Sequence, residues 1–325
     1  MLGSIDHESV ARLLVELHDG QMVESVLLPR GGLCVSTQVG CAVGCVFCMS
    51  GRNGLIRQLG SAEIVAQVVL ARKRRAVSKV VFMGMGEPAH NLDNVMEAIQ
   101  LLGTHGNIGH KNLVLSTVGD VRMFERLMEV CANSVRPKDS PIRRSRESGS
   151  PANSTNWIPA FAGMTDYSVS PPDSDIVCKL TVKPALALSL HTTDAVLRAK
   201  LLPHAPQIAI EELVERAEIY ARATGYPTQY QWTLLEGIND NDDELENIAR
   251  LLTGKYALMN FIPFNDVDGL AYRRPTAERA VQMVDFLKQR GILAKLRDSA
   301  GQEIEGACGQ LRARAVKKII SKGAA

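Results

Sequence analysis

The chain has 325 residues, of which 46% are hydrophobic and 22% charged, and its formal net charge is +2. It can bury a sizeable core, in one large α/β domain or two smaller ones, and its charge is too small to announce a partner, so any nucleic-acid site must be a local patch. With no run of about 18 apolar residues no membrane-spanning helix is expected, and with Asp6, Glu8, Glu16 and Asp19 and no apolar stretch near the start no signal peptide is expected, so the expected location is cytoplasmic. Seven cysteines, an odd number and clustered, argue for metal or redox chemistry over a disulfide scaffold.

In chain order, residues 8–18 suit one short helix or strand, and residues 23–29 alternate as a strand with Glu24 inside it. Residues 33–39 read as the next strand, followed by a cysteine-rich loop. A helix then runs from Ser61, its expected N-cap, to about Arg75, with Glu63 in the electropositive first turn. Residues 79–83 form a short apolar, buried strand that ends at Gly84-Met-Gly-Glu-Pro88, and a helix over 92–102 follows. Residues 112–117 are a strand and 121–130 a helix. Regularity fails over 131–181, where Pro137, Pro141, Pro151, Pro159, Pro171 and Pro172 stand among Ser, Arg and Asp, as expected of a flexible insertion.

Alternation resumes with strands over 185–190, 228–235, 257–262 and 292–297 and helices over 210–224, 242–252 and 276–290. Some six β-α units in series predict an α/β fold, a parallel sheet with right-handed crossovers rolled fully or partly into a (β/α)6 TIM-like barrel. Residues 1–32 would be a short β-containing N-terminal extension, 33–311 the barrel interrupted by the insertion, and 312–325 a basic C-terminal tail after a loop or helix. Chemistry in such folds sits at the C-terminal ends of the strands. There lie the cysteine loop, the Gly84 to Pro88 turn, Ser116, Ser189-Leu190-His191, Glu236-Gly237 and Asn265.

Four of the seven cysteines fall within residues 34–48, and Cys41, Cys45 and Cys48 have the spacing C-x3-C-x2-C. Such crowding of soft thiolates on a Gly-containing loop is a metal-site pattern. Zinc in a structural site would need a fourth ligand from Cys34, a distant Cys or a His. A [4Fe-4S] cluster takes three thiolates and leaves one iron open to a small molecule. Residues 84–89 also fit G-x-G-x-x-A after a strand, a dinucleotide-binding pattern, but Pro88 would sit inside the phosphate turn. Basic clusters at Arg72-Lys-Arg-Arg75 with Lys79, at Arg143, Arg144 and Arg146, and in the tail suit phosphates or a solvated helix end alike.

The cysteine spacing, with Phe47 just before the last cysteine, resembles the radical S-adenosylmethionine (SAM) superfamily. Its neighbours, from Cys34-Val-Ser-Thr-Gln-Val-Gly-Cys41 through Met83-Gly-Met-Gly-Glu-Pro88, Leu115-Ser-Thr-Val-Gly119, Leu188-Ser-Leu-His191 and Phe261-Ile-Pro-Phe-Asn265 to Gly306-Ala-Cys-Gly-Gln-Leu311, resemble the RlmN/Cfr family of RNA adenine methyltransferases. The resemblance implies a radical SAM barrel with a [4Fe-4S] cluster on Cys41, Cys45 and Cys48, and SAM held by Gly86, Glu87, Ser116, Ser189, Leu190, His191 and Asn265. It also implies methylation of adenine C2 or C8 in rRNA or tRNA through an S-methyl group on Cys308, resolved by Cys34 in a disulfide, with Glu24 as proton acceptor. An electron donor such as flavodoxin or ferredoxin and a monomeric enzyme are implied as well. Typical members carry a helical accessory domain ahead of the barrel, so the chain is expected to grip RNA differently. Without that domain a non-RNA substrate stays open, as does a zinc-stabilised RNA-binding module. Cys131 and Cys178 match no family position.

Overall fold

The computed structural model describes residues 9–134, 180–267, 269–297 and 309–311, so Cys178, Cys308, the tail from 312 and all but the ends of the expected insertion lie outside the described residues. Strands β1 (Ala11–Glu16) and β2 (Met22–Leu28) form an antiparallel hairpin, and β3 (Gly32–Cys34) pairs antiparallel with β2. The chain then leaves this sheet. β4 (Gln38–Gly40) instead pairs with β5 (Leu55–Gln58) in a separate ribbon, so the single strand expected over 33–39 is two. The break has a local cause: both backbone groups of Ser36 are taken by the buried Gln67 amide, at 2.9 and 2.8 Å, which removes them from any ladder.

Helix α1 (Ser61–Arg72) is capped by Gly60, whose N–H donates to the Glu63 carboxylate at 2.9 Å; Ser61, the expected cap, is the first helical residue. Next come β6 (Lys79–Phe82), α2 (Leu92–Thr104), β7 (Leu113–Thr117) and α3 (Val121–Asn133), the last carrying buried Cys131. The second half holds β8 (Ala185–Ser189), α4 (Ala195–Leu201), α5 (Ile210–Thr224) and β9 (Thr228–Leu234). It closes with α6 (Asp242–Leu252), β10 (Ala257–Pro263), α7 (Ala277–Gln289) and β11 (Leu293–Leu296). Helix α6 shows why these segments are helical: Asn241 caps it by accepting from Glu244 N at 2.9 Å, and Leu245, Ile248 and Leu252 recur on one buried face. No helix among the described residues is long and apolar enough to cross a membrane.

The main sheet has nine strands in the order β1-β2-β3-β6-β7-β8-β9-β10-β11, parallel from β3 onward, with a helix in each crossover, as expected of a partial (β/α)6 barrel. Alternate residues serve different faces. Phe82, Leu186, Tyr230, Trp232 and Phe261 are fully buried in the layer between sheet and helices, each stabilising the fold by about 1.5–3 kcal/mol relative to exposure. The in-register rows Cys34, Val81, Val114, Ala185 and Ser189, Gln231, Asn260, Lys295 occupy the other, inner face.

Candidate active site

The loop after β4 is shaped by glycines. Gly40 takes φ 82°, and a Cβ there would lie 2.1 Å from the Gly54 carbonyl oxygen, which accepts from Cys41 N at 3.0 Å. Gly51 stacks on Gly44 so closely that a Cβ would meet Gly44 Cα at 2.8 Å. The loop is propped from outside by bonds from Val46 N to Leu201 O (3.1 Å) and from His204 N to Val43 O (3.2 Å), both groups at the end of α4. Cys41, Cys45 and Cys48 all line one cleft. Burial pushes the Cys41 thiol up to about 12 and raises the Cys45 thiol well above its usual range, and the neighbouring thiols add to the effect. Only a bound cation would hold them as thiolates.

No three His, Cys, Asp or Glu side chains among the described residues converge closely enough to hold a single metal ion. An iron-sulfur cluster asks less convergence, since each thiolate binds a different iron, and three soft thiolates on one wall of a cleft fit such a group.

Opposite the cysteines stands the turn after β6. Gly86 has φ 107°, and a Cβ on it would lie 2.7 Å from Gln38 Cβ and Thr37 Oγ1, so both conformation and space require glycine. Glu87 is buried, with Ala89 N and Val118 N each donating to its carboxylate at 3.0 Å, while its own N–H donates to Gln38 Oε1 at 2.8 Å. Burial raises its pKa to about 6, against the lowering effect of these donors and of Thr117. A buried carboxylate held by two backbone N–H groups is pre-positioned for a cation. Its glycines serve close packing, Gly84 against Val35 and Ser36 and Gly86 against Thr37 and Gln38.

The remaining wall comes from β7 to β10. Ser116, Ser189, Gln231, Thr233 and Asn265 line the cleft with Gly86, Glu87 and His191, so several polar groups converge on one concave, partly open site, as in small-molecule sites. His191 has φ 65°, a left-handed backbone uncommon outside glycine. Two side chains hold it there. Asn239, fully buried, donates to His191 O at 2.7 Å and to Thr233 O at 2.8 Å and accepts from Leu235 N at 2.8 Å. Glu244 of α6 accepts from the hydroxyls of Thr192 and Thr193 and from Thr193 N at 2.8 Å. His191 Nδ1 accepts from Thr233 N at 3.0 Å, which places the ring proton on Nε2. Burial and the nearby Arg198 push its pKa down to about 3, so the ring is a neutral donor. Arg198 is itself buried, donating to Val118 O and to Ser189 O. Sequence reasoning named His191 but missed Asn239, Glu244 and Arg198, whose bonds to the His191 segment and to Val118 span 48 to 80 residues.

Leu190 differs from its neighbours: its side chain packs in the core and its N–H donates to Gln231 O at 3.0 Å. Cys34 and Glu24 do not line the cleft but share the inner face with it, Cys34 in register with Val81 and, across β2, with Val26, two residues from Glu24. Glu24 is buried within β2, and Arg12 Nη1 donates to it at 3.2 Å. Cys308 lies outside the described residues. The next residue, Gly309, lines the cleft, its carbonyl accepting from Met49 N at 2.7 Å, and Ser50 Oγ donates to Leu311 O at 2.8 Å.

The Radical SAM superfamily profile matches residues 35–137. The chain is 62% identical to the "Probable RNA methyltransferase" of Stutzerimonas stutzeri over 94% of its own length and 75% of that protein's. The chain belongs to the radical SAM RNA methyltransferase family. A similar protein from Methylibium petroleiphilum, also named a probable RNA methyltransferase, is 62% identical over 94% of this chain and 73% of its own. Among solved structures, a radical SAM methyltransferase from Sphaerobacter thermophilus superposes with a TM-score of 0.75 at 32% identity, covering 96% of this chain and 80% of that one. The family match accounts for the order of the parts: the cysteine loop after the first parallel strand, then the strand ends that complete the cleft.

Proposed function

We propose that this family member methylates an adenine ring carbon, C2 or C8, in ribosomal or transfer RNA, with Cys308 as methyl carrier and Cys34 as resolving thiol. One observation carries the reading. Three cysteines, the Gly86-Glu87 turn, Ser116, Ser189, His191, Asn265 and the chain immediately after Cys308 meet at a single cleft, and Cys34 and Glu24 share its inner face. When bound, a [4Fe-4S] cluster on Cys41, Cys45 and Cys48 would supply the electron that cleaves SAM to a 5′-deoxyadenosyl radical.

The protein's own groups have separable tasks. The Glu87 carboxylate accepts from the SAM ammonium, and neutral His191 donates from Nε2. Ser116, Ser189 and Asn265 offer hydroxyl and amide groups to the rest of the ligand. Cys308, as a thiolate, takes a methyl group from one SAM by direct displacement. This detour is chemically necessary because the adenine carbon is not nucleophilic and cannot receive an electrophilic methyl directly. The carbon would join the ring once a hydrogen atom has passed from the Cys308 S-methyl group to the 5′-deoxyadenosyl radical; one electron would then return to the oxidised cluster, Glu24 accepts the ring proton, and the Cys34 thiolate attacks the Cys308 sulfur, breaking its bond to the transferred carbon, which takes up a proton, and leaving a disulfide. A low-potential donor such as flavodoxin or ferredoxin would reduce the cytoplasmic, monomeric enzyme.

Reconstituted enzyme incubated with methyl-labelled SAM and total RNA, followed by nucleoside digestion, tests this directly. Label is expected on adenosine ring carbon, and its absence from adenosine would overturn the RNA reading. Mass spectrometry of the peptide bearing Cys308 should show a methyl thioether after SAM exposure. A wholly unmethylated thiol in cluster-loaded protein would remove Cys308 from its role.

A further inference from the structure

The inner face carries a second polar feature below the cleft. Register places Lys295 of β11 beside Asn260, Gln231 and Ser189 in one row, and neighbours in a row point to the same side of a sheet. Ser189 and Gln231 line the cleft, so Lys295 faces inward as well. Arg297, two residues on, follows the same face: its N–H donates to Phe261 O at 2.8 Å, and its guanidinium reaches Gln231 Oε1 at 3.4 Å. Lys79 of β6 alternates with Val81 and with Met83, another cleft residue, and also faces inward. Strand stagger in a barrel carries a row steadily along the axis, so a residue late on β11 can face one early on β6. Lys79 lies within electrostatic reach of the other two. The Lys79 ammonium is held below its usual range first by burial, then by Arg297 and Lys295.

Among the described residues none of the three has a carboxylate within ion-pair distance, whereas Arg12, on the same inner face, is paired with Glu24. Like charges gathered in this way among the described residues repel, and such an arrangement suits the binding of an anion. All three keep accessible surface, so a ligand can reach them. One polar contact, through Gln231, separates Arg297 from the cleft.

We propose that Lys79, Lys295 and Arg297 form a phosphate-binding subsite inside the partial barrel, gripping the backbone of the substrate strand while its base reaches the cleft. The inference rests on the RNA reading above. It differs from the basic clusters of the helix ends because these cations lie on the inner face of the sheet and Arg297 touches Gln231, which lines the cleft. Backbone contacts of this kind fix register without reading sequence.

The test uses anaerobically purified, cluster-loaded protein and filter binding of end-labelled total RNA across a salt series. In the double variant Lys79→Gln/Lys295→Gln the log–log salt slope should shrink by about 1.4, at about 0.7 per lost single-strand phosphate contact. The charge-preserving pair Lys79→Arg/Lys295→Arg should retain the slope. Because the lysines repel each other in the free protein, the Gln pair should melt no lower than wild type, with unchanged cluster absorbance and SAM binding. An unchanged slope in the Gln pair would overturn the subsite, and so would lost binding accompanied by a lowered melting temperature, which marks a structural role. Failure of the wild type to retain RNA at all would remove the RNA reading first and the subsite with it.

Discussion

The two halves of the barrel hold the same cleft by different means. In the first half, from β3 to β7, the site is shaped by close approach at glycines: Gly40 against the backbone of Gly54, Gly51 against that of Gly44, Gly84 against that of Val35, and Gly86 against the side chains of Thr37 and Gln38. In the second half, from β8 to β10, it is held by buried polar side chains, with Asn239 and Glu244 fixing the His191 segment and Arg198 tying α4 to the ends of β7 and β8. Steric fits are all or nothing, whereas hydrogen-bonded supports fail by degrees. The first half should therefore decide whether a site exists, and the second how well it binds.

The strongest test of that division is Gly40→Ala. Its Cβ would sit 2.1 Å from a backbone oxygen at φ 82°, and neither partner can move without opening the cysteine loop. Loss of nearly all iron and sulfide per chain is expected, with no labelled RNA product. Gly54→Ala is the matched control. That residue also has a positive φ, 70°, but nothing lies within 4 Å of its Cβ position, so it should cost only about 1–2 kcal/mol of stability and keep its iron. Equal iron loss in both would show that left-handed backbone, not close approach, governs the loop.

In the second half, Asn239→Ala should act by degrees. It removes three hydrogen bonds and strands the His191 carbonyl in the core, for a loss of at least about 1–3 kcal/mol, the cost of one stranded buried group. Cluster content should stay near wild type while the apparent affinity for SAM falls, because the left-handed His191 backbone loses its clamp. Equilibrium binding of SAM beside iron analysis separates the two. Unchanged affinity would mean that Glu244 suffices to hold the segment.

The same division explains what could be read from the sequence. The cysteine spacing, the Gly84 to Pro88 turn and the β-α alternation are local patterns, and their elements appear within a few residues of expectation. The helix over 210–224 matches residue for residue. What escaped was set by distant partners. The strand expected over 33–39 is split by Gln67, about thirty residues on, and the cap moved to Gly60 because Glu63 could reach its N–H. The seven-residue α4, too short for a periodic signal, supplies Arg198 and the prop for the cysteine loop. Asn239 and Glu244 looked like an ordinary loop and helix start, since nothing within 40 residues of them in sequence marks His191 as their charge.

A third test sets binding against stability at one residue. Glu87 has a folded pKa raised to about 6 by burial, so its protonated form is the one the fold prefers, and stability gains rather than loses as pH falls through that value. A carboxylate gripping an ammonium needs the opposite. SAM binding should therefore weaken as pH drops below about 6 while the melting temperature holds or rises slightly, and Glu87→Gln should bind weakly with no such pH step. A step of equal size in the Gln variant would assign it elsewhere.

The smallest effect belongs to the rim of the first half, where Arg57 of β5 bridges Asp19 at 2.6 Å and Glu63 at 2.8 Å, tying the β4–β5 ribbon to α1. The Arg57 hydrogen bond is the largest cause holding Asp19 down to about 2 and Glu63 below its usual range. Depressed carboxylates stabilise the fold above their unfolded pKa values, near 3.9 and 4.3, and that contribution fades as pH falls through the folded ones. The partners are partly exposed and screened, so Arg57→Ala should lower the melting temperature only slightly at neutral pH. The gap between variant and wild type should then narrow as pH falls from about 5 toward about 2, with iron content unchanged throughout. Loss of iron in this variant would instead mean that the ribbon's outer ties, and not only its glycines, decide whether the cysteine loop closes.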